Sequence, residues 1–292
     1  MSDDRYQLID FGGGRKLESL AGRLIDRPSP AAEGARRGNP SAWKTVDSVY
    51  DPSRKLWSHH TDWPESTSIH CGPFRMPVRP TPYGHIGLFP EQYSNWQWLA
   101  SKPIAPGTRD ALNLFAYTGA STMALVSAGF RVAHVDAAKP NVDAARAAAV
   151  WNGWTEPPIR FLVDDAAKFA AREVRRGRNY HTIVLDPPAY GHSPKGKAWR
   201  LERDLWPLLE SCFQLLDASD FRLLVTGHSQ EVSRQDVVNY LQHSPFLRQQ
   251  KDDSGLLLES GRSQLVDATG RPLDAGFYVR VACASGSGAI ES

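Results

Sequence analysis

The apolar positions of this 292-residue chain fall into two textures. Up to about residue 100 they come in four short clusters, at 6–11, 17–24, 46–50 and 85–89, set among many Gly and Pro. The stretch 28–40, with Pro-Ser-Pro-Ala-Ala and Arg-Arg-Gly-Asn-Pro, reads as an exposed loop. This pattern predicts short strands and turns in a small β-rich unit. From 109 to about 240, apolar runs of strand length alternate with helical periodicity. Strands are expected at 111–115, 131–136, 159–163, 181–186 and 221–226. Helices are expected at 121–128, 144–151 (alanine-rich, with Pro140 near its start), 166–176, 202–216 and 231–242. Such alternation means βαβ units, hence an α/β fold whose mainly parallel sheet is covered on both faces. Beyond residue 255 two strands, at 256–259 and 277–281, are expected as an antiparallel pair at the sheet edge. The small polar tail from 284 is expected to fray. The domain division expected is 1–100 for the β-rich accessory region and 101–292 for the main domain.

Composition narrows the class. Hydrophobic residues make up 41% and charged residues 23%, which excludes wholesale disorder, collagen and a long coiled coil. No 18 consecutive apolar residues occur, so no membrane-spanning helix is expected. The acidic start, Met-Ser-Asp-Asp-Arg, with no apolar run behind it, does not read as a secretory signal. Cys71, Cys212 and Cys283 are far apart and odd in number, which fits a cytoplasmic protein better than a disulfide framework or a metal site. Five of the nine tryptophans (Trp43, Trp57, Trp63, Trp96 and Trp98) precede residue 100. They serve either core packing or, for one or two of them, base stacking.

The chemistry is expected at the carboxyl ends of the parallel strands. Four segments stand there. Leu-Asn-Leu-Phe-Ala-Tyr-Thr-Gly-Ala-Ser (112–121) leaves a strand and enters a helix. It has a single glycine, Gly119, so it is either a turn that a ligand approaches closely or a plain strand-to-helix connection. Asp136 ends the second strand and either accepts from both hydroxyls of a ribose or caps the next helix. Asp164 and Asp165 follow the third strand; one suits an adenine amino group while the other caps a helix, or both serve the helix dipole. Leu-Asp-Pro-Pro-Ala-Tyr-Gly (185–191) is the most informative segment. Its two prolines fix an extended turn without amide hydrogens. Acceptors at Asp186 and near Pro187 and Pro188 then suit the exocyclic amino group of a base, with Tyr190 placed to stack on it.

Together these segments resemble the successive motifs of class I S-adenosylmethionine-dependent methyltransferases. More narrowly, they are similar to the bacterial group that includes large-subunit (23S) ribosomal RNA cytosine-C5 methyltransferases. The resemblance extends upstream to Gly-His-Ile-Gly-Leu-Phe-Pro-Glu-Gln (84–92) and covers about 82–246 well, the first 80 residues poorly. It implies a Rossmann-like, mainly parallel seven-stranded sheet ending in an antiparallel strand pair, and S-adenosylmethionine as cofactor, released as S-adenosylhomocysteine. It also implies an RNA substrate and roles for particular residues, and no metal is expected. Asn113, Phe115, Tyr117, Thr118 and Gly119 would line the methionine part. Asp136 with Ala137 would hold the ribose, and Asp165 with Ala166 the adenine. Phe89 and Gln92 would close over the cofactor. Asp186, Pro187, Pro188 and Tyr190 would lie between the methyl group and the target base, and Lys195, Lys197 and Arg200 would meet RNA.

One departure matters. Cytosine-C5 methylation needs a thiolate that adds to C6. The segment after the fifth strand, Leu224-Val-Thr-Gly-His-Ser-Gln230, has no cysteine, and Cys212 falls on an apolar helix face. Direct displacement at nitrogen or oxygen needs no thiol. His228 is either a general base or a structural loop histidine. Two rival readings remain: a non-catalytic RNA-binding protein on this fold, and a nucleotide-dependent dehydrogenase, which the missing glycine fingerprint disfavours.

Charge enters last. The net charge of +2 averages unlike regions. Nine cations (168, 172, 175, 176, 178, 195, 197, 200 and 203) against Glu173, Asp186 and Glu202 give 168–203 a local charge of 9 − 3 = +6. That basic segment flanks the Asp-Pro-Pro loop.

Overall fold

Every apolar run expected as a strand between 109 and 227 forms one. The computed structural model describes residues 4–64, 66–101, 109–191, 198–250 and 255–284. The chain divides into two units. The second unit (98–146, 156–262 and 276–292) holds a seven-stranded sheet. Its strands are β8 (Arg109–Leu114), β9 (Phe130–Asp136), β10 (Ile159–Val163), β11 (Thr182–Leu185), β14 (Asp220–Gly227), β15 (Leu257–Val266) and β16 (Pro272–Ala284), in the order β10-β9-β8-β11-β14-β16-β15. The first five are mutually parallel, and β16 runs antiparallel to β14. The mainly parallel sheet with a terminal antiparallel element therefore matches the expectation. The last two strands are longer than expected: ten and thirteen residues.

The connecting helices are α2 (Ala120–Ser127), α3 (Lys139–Trp151), α4 (Ala166–Arg175), α5 (Leu201–Leu215) and α6 (Arg234–His243). Two short helices were not expected: α1 (Tyr93–Ala100) and α7 (Pro245–Gln250). Helix α4 shows why the fold forms locally. Asp165 caps its first turn, accepting from the Lys168 amide at 2.9 Å, while Phe169 and Ala170 turn inward. Helix α5 places Leu205, Leu208, Leu209 and Cys212 on one buried face, against Ile183, Leu185, Leu223 and Val225 of the sheet. Cys212 is core, as its helical spacing implies.

The first unit comprises 1–97, 147–155 and 263–275. Its five-stranded sheet runs β1-β2-β3-β4-β5, from β1 (Tyr6–Gly12), β2 (Arg15–Leu20) and β3 (Arg23–Pro28) to β4 (Ser48–Asp51) and β5 (Leu56–His59). A separate hairpin joins β6 (Ser68–His70) to β7 (Arg75–Pro77). Leu8, Phe11, Ala32, Leu265 and Leu273 form one of its apolar clusters, so the 263–275 segment is built into this unit. The unit also buries charge. Glu18 is fully buried and accepts from Arg27, from Tyr6 at 2.9 Å and, as an ion pair, from Lys16 at 3.1 Å. Arg27 beside it holds the Glu18 carboxyl down at about 2 despite burial, which alone pushes it up.

Candidate functional site

The parallel strands end side by side, and the order β10-β9-β8-β11 brings four of the expected loops to one edge. The loop after β8 is the most strained. Phe115 and Tyr117 adopt φ of +56° and +49°, and Gly119 +92°. Left-handed backbone at non-glycine residues costs energy and is held only by surrounding structure. Here the holding groups are explicit. The Ala116 amide donates to the Val135 carbonyl at 3.0 Å, and the Tyr117 amide donates to Asp136 Oδ2 at 2.8 Å. Gly119 is required twice over: its φ disfavours a side chain, and a Cβ would stand 3.0 Å from that of Ala145.

Asp136 organises the neighbouring loop as well. Its Oδ1 accepts from the Ala138 amide at 2.9 Å and from Asn141 Nδ2 at 3.0 Å. The two readings of this residue are therefore not exclusive: it braces the turn into α3 and still stands half-buried at the strand end. Ala137 beside it is exposed. The Asp164 amide donates to the Asp136 carbonyl at 3.0 Å, which ties the third loop to the second. Of the two acids there, Asp165 takes the cap and Asp164 pairs with Arg172. Ala166 is buried in the first turn of α4.

Beneath the first loop runs a buried polar chain. Asn113 Nδ2 donates to Thr122 Oγ1 at 2.9 Å, and Thr122 Oγ1 meets His134 Nδ1 at 2.9 Å. All three side chains are at most 2% exposed. Thr122 Oγ1 accepts from Asn113 and shares a second hydrogen bond with His134 Nδ1, whose ring is neutral. Burial, with Arg146 nearby, pushes the imidazole down to about 3. The chain spends the Asn113 amide nitrogen inward. Thr122 and His134 were not among the expected residues; a polar pair on an alanine-rich helix and an apolar strand is the one signal they left.

The fourth loop is rigid by design of its neighbours. Thr226 at the end of β14 donates to Asp186 Oδ1 at 2.5 Å. Pro187 is buried and Pro188 exposed. Trp199 Nε1 donates to the Pro188 carbonyl at 2.8 Å, and its ring packs on Phe115 with centroids 4.8 Å apart. The acceptor surface expected near the prolines is thus smaller by one carbonyl. Beyond it, Tyr190 and Gly191 (β12) pair with Trp199 and Arg200 (β13), and the Tyr190 ring is 51% exposed. Thr226 and Trp199 support this loop.

Phe89 and Gln92 belong to the first unit; Asn95 Nδ2 donates to Gln92 Oε1 at 2.5 Å, and Phe89 meets His85 edge-on. Lys195 and Lys197 lie outside the described residues, and Arg200 is exposed. The basic segment is less free than its count implies, because Arg172, Arg176 and Arg203 pair with Asp164, Glu173 and Asp204. The described cysteines are all buried, and burial pushes the Cys71 thiol up to about 12 and the Cys212 thiol higher still. His228 is exposed just past β14. Among the described residues, no three His, Cys, Asp or Glu gather as metal ligands, and no helix is long and apolar enough to cross a membrane.

No family model matches the chain. Among solved structures, the SAM-dependent methyltransferase from Agrobacterium tumefaciens superposes with a TM-score of 0.87 at 29% identity, over 97% of this chain and 91% of that one. The chain has the class I S-adenosylmethionine-dependent methyltransferase fold. Two curated relatives match part of the chain. The chain is 31% identical over 121 residues to ribosomal RNA large subunit methyltransferase K/L of Methylococcus capsulatus, covering 41% of this chain. It is 33% identical over 112 residues to ribosomal RNA large subunit methyltransferase I of Aeromonas hydrophila, covering 38% of this chain. These matches span only 16% and 28% of the relatives' own lengths.

Proposed function

We propose that this protein transfers the methyl group of S-adenosylmethionine to a base of RNA, ribosomal RNA above other RNAs, by direct displacement at a nitrogen or oxygen. The observation that carries this reading is the convergence of three loops on Asp136, whose carboxylate and carbonyl bind the loops after β8 and β10. The donor set fits the cofactor part by part. A half-buried carboxylate at the end of β9 suits a ribose diol, and a helix N-terminus with Asp165 and the Ala166 amide suits adenine. Asn113 to Gly119 frame the amino-acid end. S-adenosylmethionine supplies an electrophilic methyl group on a sulfonium.

The residues of the chain supply position. Asp186, held by Thr226, accepts from the exocyclic amino group of the target base and sets its orientation. Tyr190 presents an exposed ring on which that base stacks. The prolines keep the turn extended and donate nothing to compete with the base. Alignment of nucleophile and methyl group is then the main source of rate. With the described thiols buried, the base is attacked through no protein adduct, which separates this reading from cytosine-C5 chemistry. The sequence likeness to ribosomal RNA methyltransferases supports the choice of RNA, and the 29% identity over nearly the whole Agrobacterium chain supports a methyltransferase rather than a dehydrogenase.

Calorimetry of S-adenosylmethionine binding tests the site. Asp136→Ala removes three hydrogen bonds from the loops and one acceptor for the ribose, so binding falls by at least about a hundredfold. Affinity unchanged in that variant would sink the assignment. Nucleoside mass spectrometry of RNA from cells with and without the protein identifies the methylated atom.

A further inference from the structure

The first unit carries an exposed feature that the methyl-transfer site does not use. Strand β5 is the edge of its sheet, and each of its four side chains is at least partly exposed. Trp57 and His59, two residues apart on one face, hold their rings parallel within 7° and 6.2 Å apart. That distance is the repeat of same-face side chains on an extended strand. Both rings are fixed by hydrogen bonds. Trp57 Nε1 donates to the Thr81 carbonyl at 2.7 Å, and His59 Nδ1 meets Ser48 Oγ, itself fully buried, at 2.8 Å. The 79–86 turn is tied down alongside by Tyr50, whose hydroxyl donates to the Pro82 carbonyl at 3.1 Å. A Cβ on Gly84 would strike the Tyr50 ring at 2.6 Å, so that turn sits closely on the strand. Its tip, Tyr83, is 78% exposed.

The segments that carry these rings are basic, with acids only at their margins: Asp51 opposite Leu56, Asp47 beside His60, and Asp62. Residues 54–60 and 79–85 hold three Arg or Lys (Arg54, Lys55, Arg79), three His and no Asp or Glu. Lysine and arginine alone would suffice to keep an edge strand from pairing with another chain. Parallel rings locked by hydrogen bonds serve no such end. Rigid aromatic faces with exposed cations beside them are what single-stranded nucleic acid requires: faces for bases to stack on and cations for the phosphates between them.

We propose that the β5 edge and the 79–86 turn bind single-stranded RNA, with bases stacking on Trp57, His59 and Tyr83 and phosphates meeting Lys55 and Arg79. The inference rests on RNA being the substrate class proposed above, and it names where the first unit touches it. Duplex RNA hides its base faces and is not held this way.

The test uses the full chain and a fluorescein-labelled 12-nucleotide single-stranded RNA of mixed sequence, with its duplex as control, read by anisotropy. His59→Ala with Tyr83→Ala changes two exposed side chains and leaves Trp57 packed on Tyr50. It weakens single-strand binding at least about tenfold and duplex binding less than twofold. Lys55→Gln with Arg79→Gln lowers the salt slope of single-strand binding by about 1.4, or 0.7 per phosphate contact. Single-strand affinity within twofold of wild type in the first variant overturns the proposal, as does equal loss for the duplex. S-adenosylmethionine binding is measured in parallel. A wild type that binds the RNA through these rings but not the cofactor upholds this surface and refutes the enzymatic reading instead.

Discussion

The two units treat buried polarity differently. At the heart of the first unit's small sheet, Glu18 and Arg27 form an ion pair with both partners buried. In the second unit the buried acid, Glu173, pairs with cations that reach solvent, Arg176 and Arg160, and the polar group under the loop proposed to hold the cofactor is neutral: the Asn113–Thr122–His134 chain. The second unit has helices to cover its sheet, and a large apolar core follows. The first unit has few helical residues, so its sheet is closed by side chains that reach across strands, and these are charged. A buried pair is weak support if apolar groups could replace it, but breaking it is severe. A neutral chain gives no such vulnerability until the pH falls.

The sharpest way to break this contrast is to remove one partner in the first unit. Glu18→Gln leaves Arg27 buried without its counter-ion and lowers stability by about 3–5 kcal/mol in urea unfolding. Glu18→Leu with Arg27→Met recovers most of that loss, because both desolvation penalties vanish together. If the double variant is as unstable as the single, the pair contributes net stability and the contrast between units fails.

Acid separates the units next. His134 is neutral when folded and ordinary, near 6.5, when unfolded. Unfolding therefore takes up a proton below 6.5, and the second unit loses about 1.4 kcal/mol per pH unit from there toward about 3. Glu18 acts later: its contribution is whole above 4.5 and is lost only as the pH falls toward about 2. Hydrogen exchange followed from pH 7 to pH 4.5 shows protection in β8 and β9 falling first, and His134→Asn flattens that slope. Equal loss of protection in wild type and variant would remove His134 from the account.

The smallest effect sharpens a single residue. Asp165→Ala costs about 1 kcal/mol through the lost cap of α4, whereas Asp165→Asn, an equally good cap, costs almost none. A loss of cofactor affinity shared by both variants therefore reports the adenine contact, and a loss confined to Ala reports the cap.

Much of the second unit could be read from the chain. The run 159–163, bounded by Pro157-Pro158 and Asp164, is a strand to the residue. The loop acids and the Asp-Pro-Pro turn stand at strand ends because apolar runs of strand length leave them no other place. What escaped reading was whatever depends on distant partners. Phe115 and Tyr117 carry no glycine signal, since their φ values are imposed by Val135 and Asp136. Strands β15 and β16 are legible only in part, at 256–259 and 277–281, because Gly, Ser and charged residues fill the rest of an edge pair that buries only part of its length. Trp43 and Trp96 turned out to pack, the first donating to Asp10 and the second against Phe74, and only the fold could tell them from Trp57.

The 263–275 segment has a consequence for synthesis. Asp10, 1% exposed, accepts from the amides of Gly38 and Asn39, from Trp43 and from Arg271. Arg271 also pairs with Asp267, and Leu265 and Leu273 complete the cluster around Leu8 and Phe11. Chains leave the ribosome from the N-terminus, and domains ordinarily fold as they emerge. Here the first unit emerges early but lacks its arginine and two of its leucines until residue 273 is out. Both units thus wait on the same late stretch, the amino-terminal unit for residue 273 and the second for the 276–284 part of β16, and a nascent chain keeps both sheets incomplete through most of translation.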